Sequence, residues 1–201
     1  MTERDVSLEV GRLLSARSGH FCFESGHHGS LWLDLELLCL DPDRIRPLAE
    51  VLAAELSKHA IEAVCGPLVE GAFVALMVAS ALKVPFTYAS PSAQRAKDGL
   101  FPVRYAIPRA LRAAVRGRRI AIVNDVVNAG SAVRGTLADL RRWSAMPVAI
   151  GTLAVLGDAA GQLAAGSGMA LESLAALPCE IWAPSECPQC ARGIPLTDDA
   201  T

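Results

Sequence analysis

Residues 118–134, RRIAIVNDVVNAGSAVR, constrain the fold more than any other part of the chain. Ile120, Ala121, Ile122 and Val123 make a short, β-branched apolar run, the pattern of a strand buried on both faces in a parallel sheet. Asn124 and Asp125 are expected to stop it. Val126 and Val127 follow, and the small residues Asn128, Ala129, Gly130, Ser131 and Ala132 lead into a helical pattern carried by Val133, Leu137 and Leu140. The order is strand, polar tip, phosphate-sized loop, helix. A glycine-containing turn that opens a helix offers unpaired backbone N–H groups and the positive end of the helix dipole to an anion. Asp125, at the strand tip, can accept hydrogen bonds from vicinal sugar hydroxyls. The combination describes a site for a 5-phosphorylated ribose.

The rest of the chain is read around that unit. With 201 residues, 52% of them hydrophobic and 20% charged, residues 1–201 suffice for one domain with a full α/β core. A formal charge of −2 gives no footprint for nucleic acid. The charged start, Met-Thr-Glu-Arg-Asp, lacks the apolar segment of a secretory signal, and the apolar stretch 72–81 is interrupted by Ser80 and too short for a bilayer. No membrane partner and a cytoplasmic location are expected. Six cysteines, unclustered apart from Cys187-Pro188-Gln189-Cys190, fit reduced thiols.

Along the chain, Val6, Val10, Leu13 and Leu14 mark a helix over residues 5–16, with Gly19 where a C-cap would fall. Residues 21–23 and 31–35 read as short strands joined by a turn-rich link. His27 and His28, being adjacent, point apart, so a polar loop is favoured over a metal pair. Asp41-Pro42-Asp43 starts a helix continued by Leu48, Val51, Leu52 and Leu56. A buried strand over 61–65 ends at Gly66-Pro67, and Glu70-Gly71 begins a helix of small residues, Ala72, Ala75 and Ala79. The turn 66–71 is either a second anion site, since Gly66 and Gly71 let the backbone approach phosphate oxygens, or an ordinary βα turn.

After a strand at 84–88 comes a long loop, 89–105, containing Gln94, Arg95, Lys97 and Asp98, either functional or a solvated surface. Arg104, Arg109, Arg112, Arg116, Arg118 and Arg119 suit an exposed helix face or pairing across a dimer better than nucleic acid. Residues 147–156 form another buried strand with its tip at Gly157-Asp158. Strands alternating with helices at this spacing predict an α/β fold, a doubly wound parallel sheet of about five strands with ligands at the strands' carboxyl ends. A short helix near 158–165 precedes a tail, residues 170–201, that opens with a strand at 170–174. One CxxC with only Cys179 close in sequence falls short of the four ligands of a structural zinc site. A structural turn is favoured there, with zinc or redox chemistry as lesser alternatives.

These motifs carry a family resemblance. IAIVNDVVNAGSA resembles the phosphoribosyl-diphosphate (PRPP) signature of the type I phosphoribosyltransferases. Gly19-His20-Phe21 with Ser25-Gly26, and residues 65–72, CGPLVEGA, resemble the N-terminal strand and turn and the pyrophosphate loop of the orotate phosphoribosyltransferase branch. Order and spacing agree over residues 13–155. The resemblance implies transfer of phosphoribose from PRPP to a nucleobase, orotate in that branch, with Mg²⁺ held through the substrate rather than in a protein cage, and a homodimer. It implies a small hood, residues 18–40, whose Phe21, Ser25, Gly26 and Trp32 meet the base. Asn128 to Ala132 would then hold the 5-phosphate, and Asn124 with Asp125 the ribose and Mg²⁺. Gly66, Pro67, Glu70, Gly71, Arg95 and Lys97 would meet pyrophosphate, with Asp125 and Lys97 catalytic.

Four departures from the pattern stand out. Asn124 replaces the first acid, a loss of one charge-assisted bond worth ~1.5–3 kcal/mol. Asn128-Ala129 replaces Thr-Thr, Glu24 stands where orotate enzymes carry lysine, and Leu156-Gly157-Asp158 lacks the arginine that reads the pyrimidine. The alternative function is a catalytically weakened paralogue, a regulatory module that binds PRPP or a nucleotide.

Overall fold

The computed structural model describes residues 3–95 and 103–197, with side chains for 5–92 and 103–197. In chain order, α1 (Glu3–Leu13), β1 (Ala16–Cys22) and β2 (His28–Leu33) precede a 3₁₀ segment (Leu35–Leu40) and α2 (Pro42–Leu56). Then come β3 (Ala63–Pro67), α3 (Glu70–Leu82), β4 (Phe86–Arg95), β5 (Val103–Ala106), α4 (Arg112–Val115), β6 (Arg119–Val127) and α5 (Ser131–Arg142). β7 (Met146–Leu156), α6 (Ala159–Ser167), β8 (Ala170–Leu177), β9 (Ile181–Trp182) and α7 (Pro188–Ala191) complete it.

Among the described residues the strands form two sheets. The central one has the order β5-β4-β3-β6-β7-β8. Its five strands from β4 to β8 are parallel, as expected, and β5 adds an antiparallel edge. β6 lies inside this sheet, and every residue from Ile120 to Val127 is buried. Ala121 and Val123 face the apolar sides of α2 and α3 (Leu48, Leu52, Val74, Val78). Ile120 and Ile122 face α5 and α6 (Leu137, Leu140, Leu163). Helices on both faces explain why the run carries no polar alternation.

Local chemistry accounts for the element ends. Asp41 caps α2 by accepting from the Asp43 N–H at 3.2 Å, with Pro42 opening the helix. α3 sits unusually close to β3: a Cβ on Gly66 would lie 2.6 Å from the Ala75 Cβ and 2.7 Å from the Ala72 Cα. Only glycine admits that approach. Among the described residues no helix is long and apolar enough to cross a membrane.

Four expectations are corrected. The strand does not stop at Asn124-Asp125; β6 continues to Val127, paired through Asn124↔Thr152 and Val126↔Ala154. Its polar residues are satisfied inside the sheet, with Asn124 Nδ2 donating to the Val126 carbonyl at 2.7 Å and Thr152 Oγ1 to the Asp125 carbonyl at 2.9 Å. Ala89 does not begin a loop, because β4 runs to Arg95 and pairs with β5 through Ser90↔Ala106 and Pro91↔Tyr105. Lys97 and Asp98 lie outside the described residues, as does the Arg95 side chain. Gly19 is no helix cap but part of β1, where a Cβ would meet the Phe21 ring and Thr197 Oγ1 at 2.8 Å. Finally, residues 170–177 form β8 within the central sheet rather than the start of a tail.

The second sheet is antiparallel, in the order β1-β2-β9, so the C-terminal segment returns to complete the N-terminal hairpin. Thr197 N–H donates to the His20 carbonyl at 2.6 Å and Gln189 Nε2 to the Gly19 carbonyl at 3.1 Å. Phe21 and Phe23 pack on Trp32, with ring centroids 5.6 and 6.4 Å away.

Candidate active site

At the carboxyl end of β6 the chain turns through Asn128 and Ala129 into Gly130, whose φ of +82° puts it in the left-handed region where glycine is favoured. α5 then starts at Ser131. Its first N–H groups have no partner within the helix, and the helix dipole adds positive potential at the same place. Asn128 contributes a buried side-chain oxygen with no hydrogen-bond partner among the described residues. Above the loop stands the hood. Between them is a cavity of about 200 Å³ bounded by Phe23, Ser25 and Trp32 on one side and Asn124, Asn128 and Ser131 on the other.

The structure thus brings Asn124, Asn128, Ala129, Gly130, Ser131, Ala132, Ser25 and Trp32 to one cavity. Phe21 is not on its wall; it is 1% exposed and supports Trp32 from behind, while Phe23 takes the lining position. Gly26 forms the hairpin turn, φ +81°, with its N–H donating to the Phe23 carbonyl, and does not line the cavity. Gly66, Pro67, Glu70 and Gly71 lie outside the wall but adjoin it through Asn124. A Cβ on Gly71 would fall 3.0 Å from the Asn124 Cγ, so the turn into α3 is pressed onto β6. The Leu68–Val69 peptide in this turn is cis.

Asp125 does not line the cavity. Its carboxyl is buried, and desolvation pushes its pKa from 3.8 up to about 7; the Val126 N–H opposes the shift and the negative charge of Glu70 adds to it. The Glu70 charge at the start of α3 thus acts on Asp125 in the same sense as burial. Oxygen donors of this kind suit a hard divalent cation such as Mg²⁺, whose charge would oppose that effect.

Three residues were not singled out by sequence as parts of this arrangement in their observed roles. Glu24 reaches from the hood to the loop before α5, where its carboxylate accepts from the Ser131 hydroxyl. It also accepts from the Tyr105 hydroxyl at 3.1 Å. Burial and the Glu24 charge push the Tyr105 phenol well above its ordinary value. Arg134, one turn into α5, comes within 4.0 Å of the Cβ position of Gly130. Burial first and the Arg134 charge second hold the His27 imidazole below its usual pKa. No short-range pattern joins Glu24, Tyr105 and Ser131, because β5, the hood and α5 meet only in three dimensions.

No family model matches the chain. Curated relatives do. An orotate phosphoribosyltransferase of Thermotoga petrophila is 30% identical over 193 residues, covering 96% of this chain and 94% of the relative. One of Pelotomaculum thermopropionicum is 29% identical over 195 residues, covering 97% and 95%. Among solved structures, orotate phosphoribosyltransferase from Aeropyrum pernix superposes with a TM-score of 0.62 at 25% identity, covering 88% of this chain and 94% of that one. Adenine phosphoribosyltransferase from Rhodothermus marinus, at 16% identity, TM-score 0.66 and coverage of 87% and 99%, shares the fold. The chain belongs to the orotate phosphoribosyltransferase family, within the type I phosphoribosyltransferases.

Proposed function

We propose that this chain transfers the phosphoribosyl group of PRPP to the ring nitrogen of orotate, releasing pyrophosphate and forming orotidine 5′-phosphate. The observation that carries the reading is the cavity between the α5 loop and the aromatic hood, which pairs an anion site with a flat apolar wall of Phe23 and Trp32. Backbone N–H groups of residues 129–132, the Ser131 hydroxyl and the Asn128 amide bind the 5-phosphate. Trp32 and Phe23 stack on the base, and Ser25 lies beside them.

As the bond from C1 to pyrophosphate lengthens, positive charge builds on the ribose ring and negative charge on the leaving group. The protein's part is positioning and charge stabilisation. Asp125, behind the cavity wall beside Asn124, orders the ribose hydroxyls directly or through the metal shell, in the ionised form that donors and a nearby cation favour over the neutral one. The turn that leads from Gly66 and Pro67 into α3 holds pyrophosphate, with the backbone N–H groups of Glu70 and Gly71 at the start of the helix as donors, aided by Arg95 and Lys97. Mg²⁺ is the proposed cofactor: held through PRPP, it would supply positive charge to offset the negative charge building on the leaving group, and Asp125 and Glu70 would be the acidic groups that favour it. A homodimer in the cytoplasm completes the proposal. Val69, just before α3, and Phe73 and Leu76 on it, 54%, 45% and 50% exposed, offer apolar surface for the contact.

A second reading, a chain that holds PRPP without turning it over, is favoured by one observation. Glu24 occupies the Ser131 hydroxyl that the phosphate requires. Pyrophosphate release with PRPP, Mg²⁺ and orotate separates the two readings: turnover supports the enzyme, and PRPP binding with no turnover of orotate or any other base supports the second.

A further inference from the structure

Away from the cavity, two distant parts of the chain gather four metal-ligating side chains. His20 on β1 and His28 on β2 meet Cys187 and Cys190 around α7, and one nitrogen or sulfur from each lies within 4.8 Å of all the others. His20 Nε2 is 3.0 Å from His28 Nδ1, 3.4 Å from Cys187 Sγ and 3.7 Å from Cys190 Sγ. Cys190 Sγ is 3.2 Å from His28 Nδ1. Tetrahedral zinc, with bonds of about 2.0–2.1 Å to nitrogen and about 2.3 Å to sulfur, has N···N edges of roughly 3.3 Å and N···S edges of roughly 3.6 Å. The four edges measured from His20 Nε2 and Cys190 Sγ fall within about 0.4 Å of those lengths, and the other two are below 4.8 Å.

The surroundings fit as well. His20 Nδ1 is 2.8 Å from the Ile194 carbonyl, which can only accept, so Nδ1 carries the proton. In the neutral ring Nε2 is then a bare lone pair aimed into the cluster. A bond of this kind, from the far ring nitrogen to a carbonyl, commonly orients zinc-bound histidines. His20, His28 and Cys187 are buried at 2%, 8% and 2% exposure, and both cysteines are free thiols. Pairwise hydrogen bonds serve such a group poorly, because four atoms crowd one point with few protons to share.

We propose that His20, His28, Cys187 and Cys190 form a structural zinc site that fastens the C-terminal segment to the hood. Four protein ligands close the coordination sphere, which marks a structural rather than a catalytic metal. Cys187 is 167 residues from His20 in sequence, so the ion joins the two ends of the domain. It also sits on the sheet that carries Trp32, since β9 pairs with β2 at His28↔Trp182. The metal thereby fixes the base-facing wall without touching substrate.

The test uses the full chain, purified under reducing conditions, and reads metal binding directly, so it succeeds or fails independently of phosphoribosyl transfer. Metal analysis should give one zinc per chain. Cobalt substitution should give thiolate-to-metal charge-transfer bands and the intense d–d absorption of a tetrahedral site. Cys190→Ser, at an exposed position, should retain the fold by circular dichroism while zinc affinity falls at least about tenfold. His28→Asn provides a second variant should the first be insoluble. Chelation should lower the melting temperature, and zinc, but not magnesium, should restore it. Absence of zinc together with an octahedral cobalt spectrum overturns the proposal. So does unchanged zinc affinity in both variants, or a Cys187–Cys190 disulfide in the reduced preparation.

Discussion

Replacing Asp125 with asparagine should make the free protein more stable at alkaline pH while abolishing its use of PRPP. Burial raises the Asp125 carboxyl from 3.8 in its ordinary state to about 7 in the fold. Between those values the folded chain holds one proton more than the unfolded chain, so stability falls as pH rises from about 4 to about 7. Above that window the charged carboxylate costs roughly 4 kcal/mol, each tenfold change in proton affinity being worth about 1.4 kcal/mol. An asparagine at this position would avoid that cost, but its NH₂ group needs an acceptor in a site built for an acid, a penalty of about 1–3 kcal/mol. The net expectation is a gain of about 1–3 kcal/mol at pH 8 and a loss of similar size at pH 4. Urea denaturation of both proteins across that range measures the difference. The amide penalty is independent of pH and cancels from the slope. A stability difference that stays flat from pH 4 to pH 8 refutes the reasoning, because Asp125 would then have the same proton affinity folded and unfolded.

Other substitutions address neighbouring parts of the site. Glu24→Gln removes the anion that accepts from Ser131, and PRPP affinity by calorimetry should rise roughly three- to tenfold, the scale of a charge repulsion at an exposed position; unchanged affinity would mean that Glu24 swings clear when phosphate arrives. Asn124→Asp restores the family's acid but puts a carboxylate against the Val126 carbonyl, where the amide now donates at 2.7 Å; stability should drop by about 1–3 kcal/mol near neutral pH, and a neutral or stabilising outcome would show that the carbonyl had turned away. Trp32→Ala strips the stacking wall of the cavity; KM for the base should rise about tenfold or more with PRPP affinity within about twofold, given ~1–3 kcal/mol for stacking on a base, whereas an equal loss for both substrates would assign Trp32 to general hood integrity.

Much of the central unit was legible because its signals are local. The β-branched run 120–123, the small-residue turn and the spacing of Val133, Leu137 and Leu140 all follow from short-range backbone preferences and one buried helix face. Gly66 and Gly71 were read as room for phosphate oxygens, whereas what they make room for in the fold is the packing of α3 on β3 and on Asn124. The continuation of β6 through Asn124 and Asp125 was not legible, because the carbonyls and hydroxyls that satisfy them belong to Val126 and to Thr152 on β7. Sequence rules assign polar pairs to strand ends; here the neighbouring strand overrides the rule. Likewise the β4–β5 arm depends on a pairing that no periodicity within residues 89–95 announces.

The candidate site divides along the same line. Loop residues Asn128 to Ser131 are contiguous and could be read together. Glu24, Tyr105 and Ser131 come from three separate elements, and their hydrogen bonds exist only once the hood lies over α5. The four-ligand cluster is the extreme case. His27 and His28 do point apart, with His27 turned to Ser25 and His28 to the cysteines. The missing partner was His20, eight residues earlier on the adjacent strand, where β1–β2 pairing supplies what sequence proximity to Cys179 did not.

The measurement that bears most directly on the central claim is pyrophosphate release by the wild-type chain and Asp125→Asn, with PRPP, Mg²⁺ and orotate, alongside calorimetric PRPP binding. Orotate-dependent release by the wild type is expected, with loss of both binding and release in the variant while the variant remains folded. Turnover that survives Asp125→Asn, or a wild type that neither binds PRPP nor releases pyrophosphate, would contradict the claim.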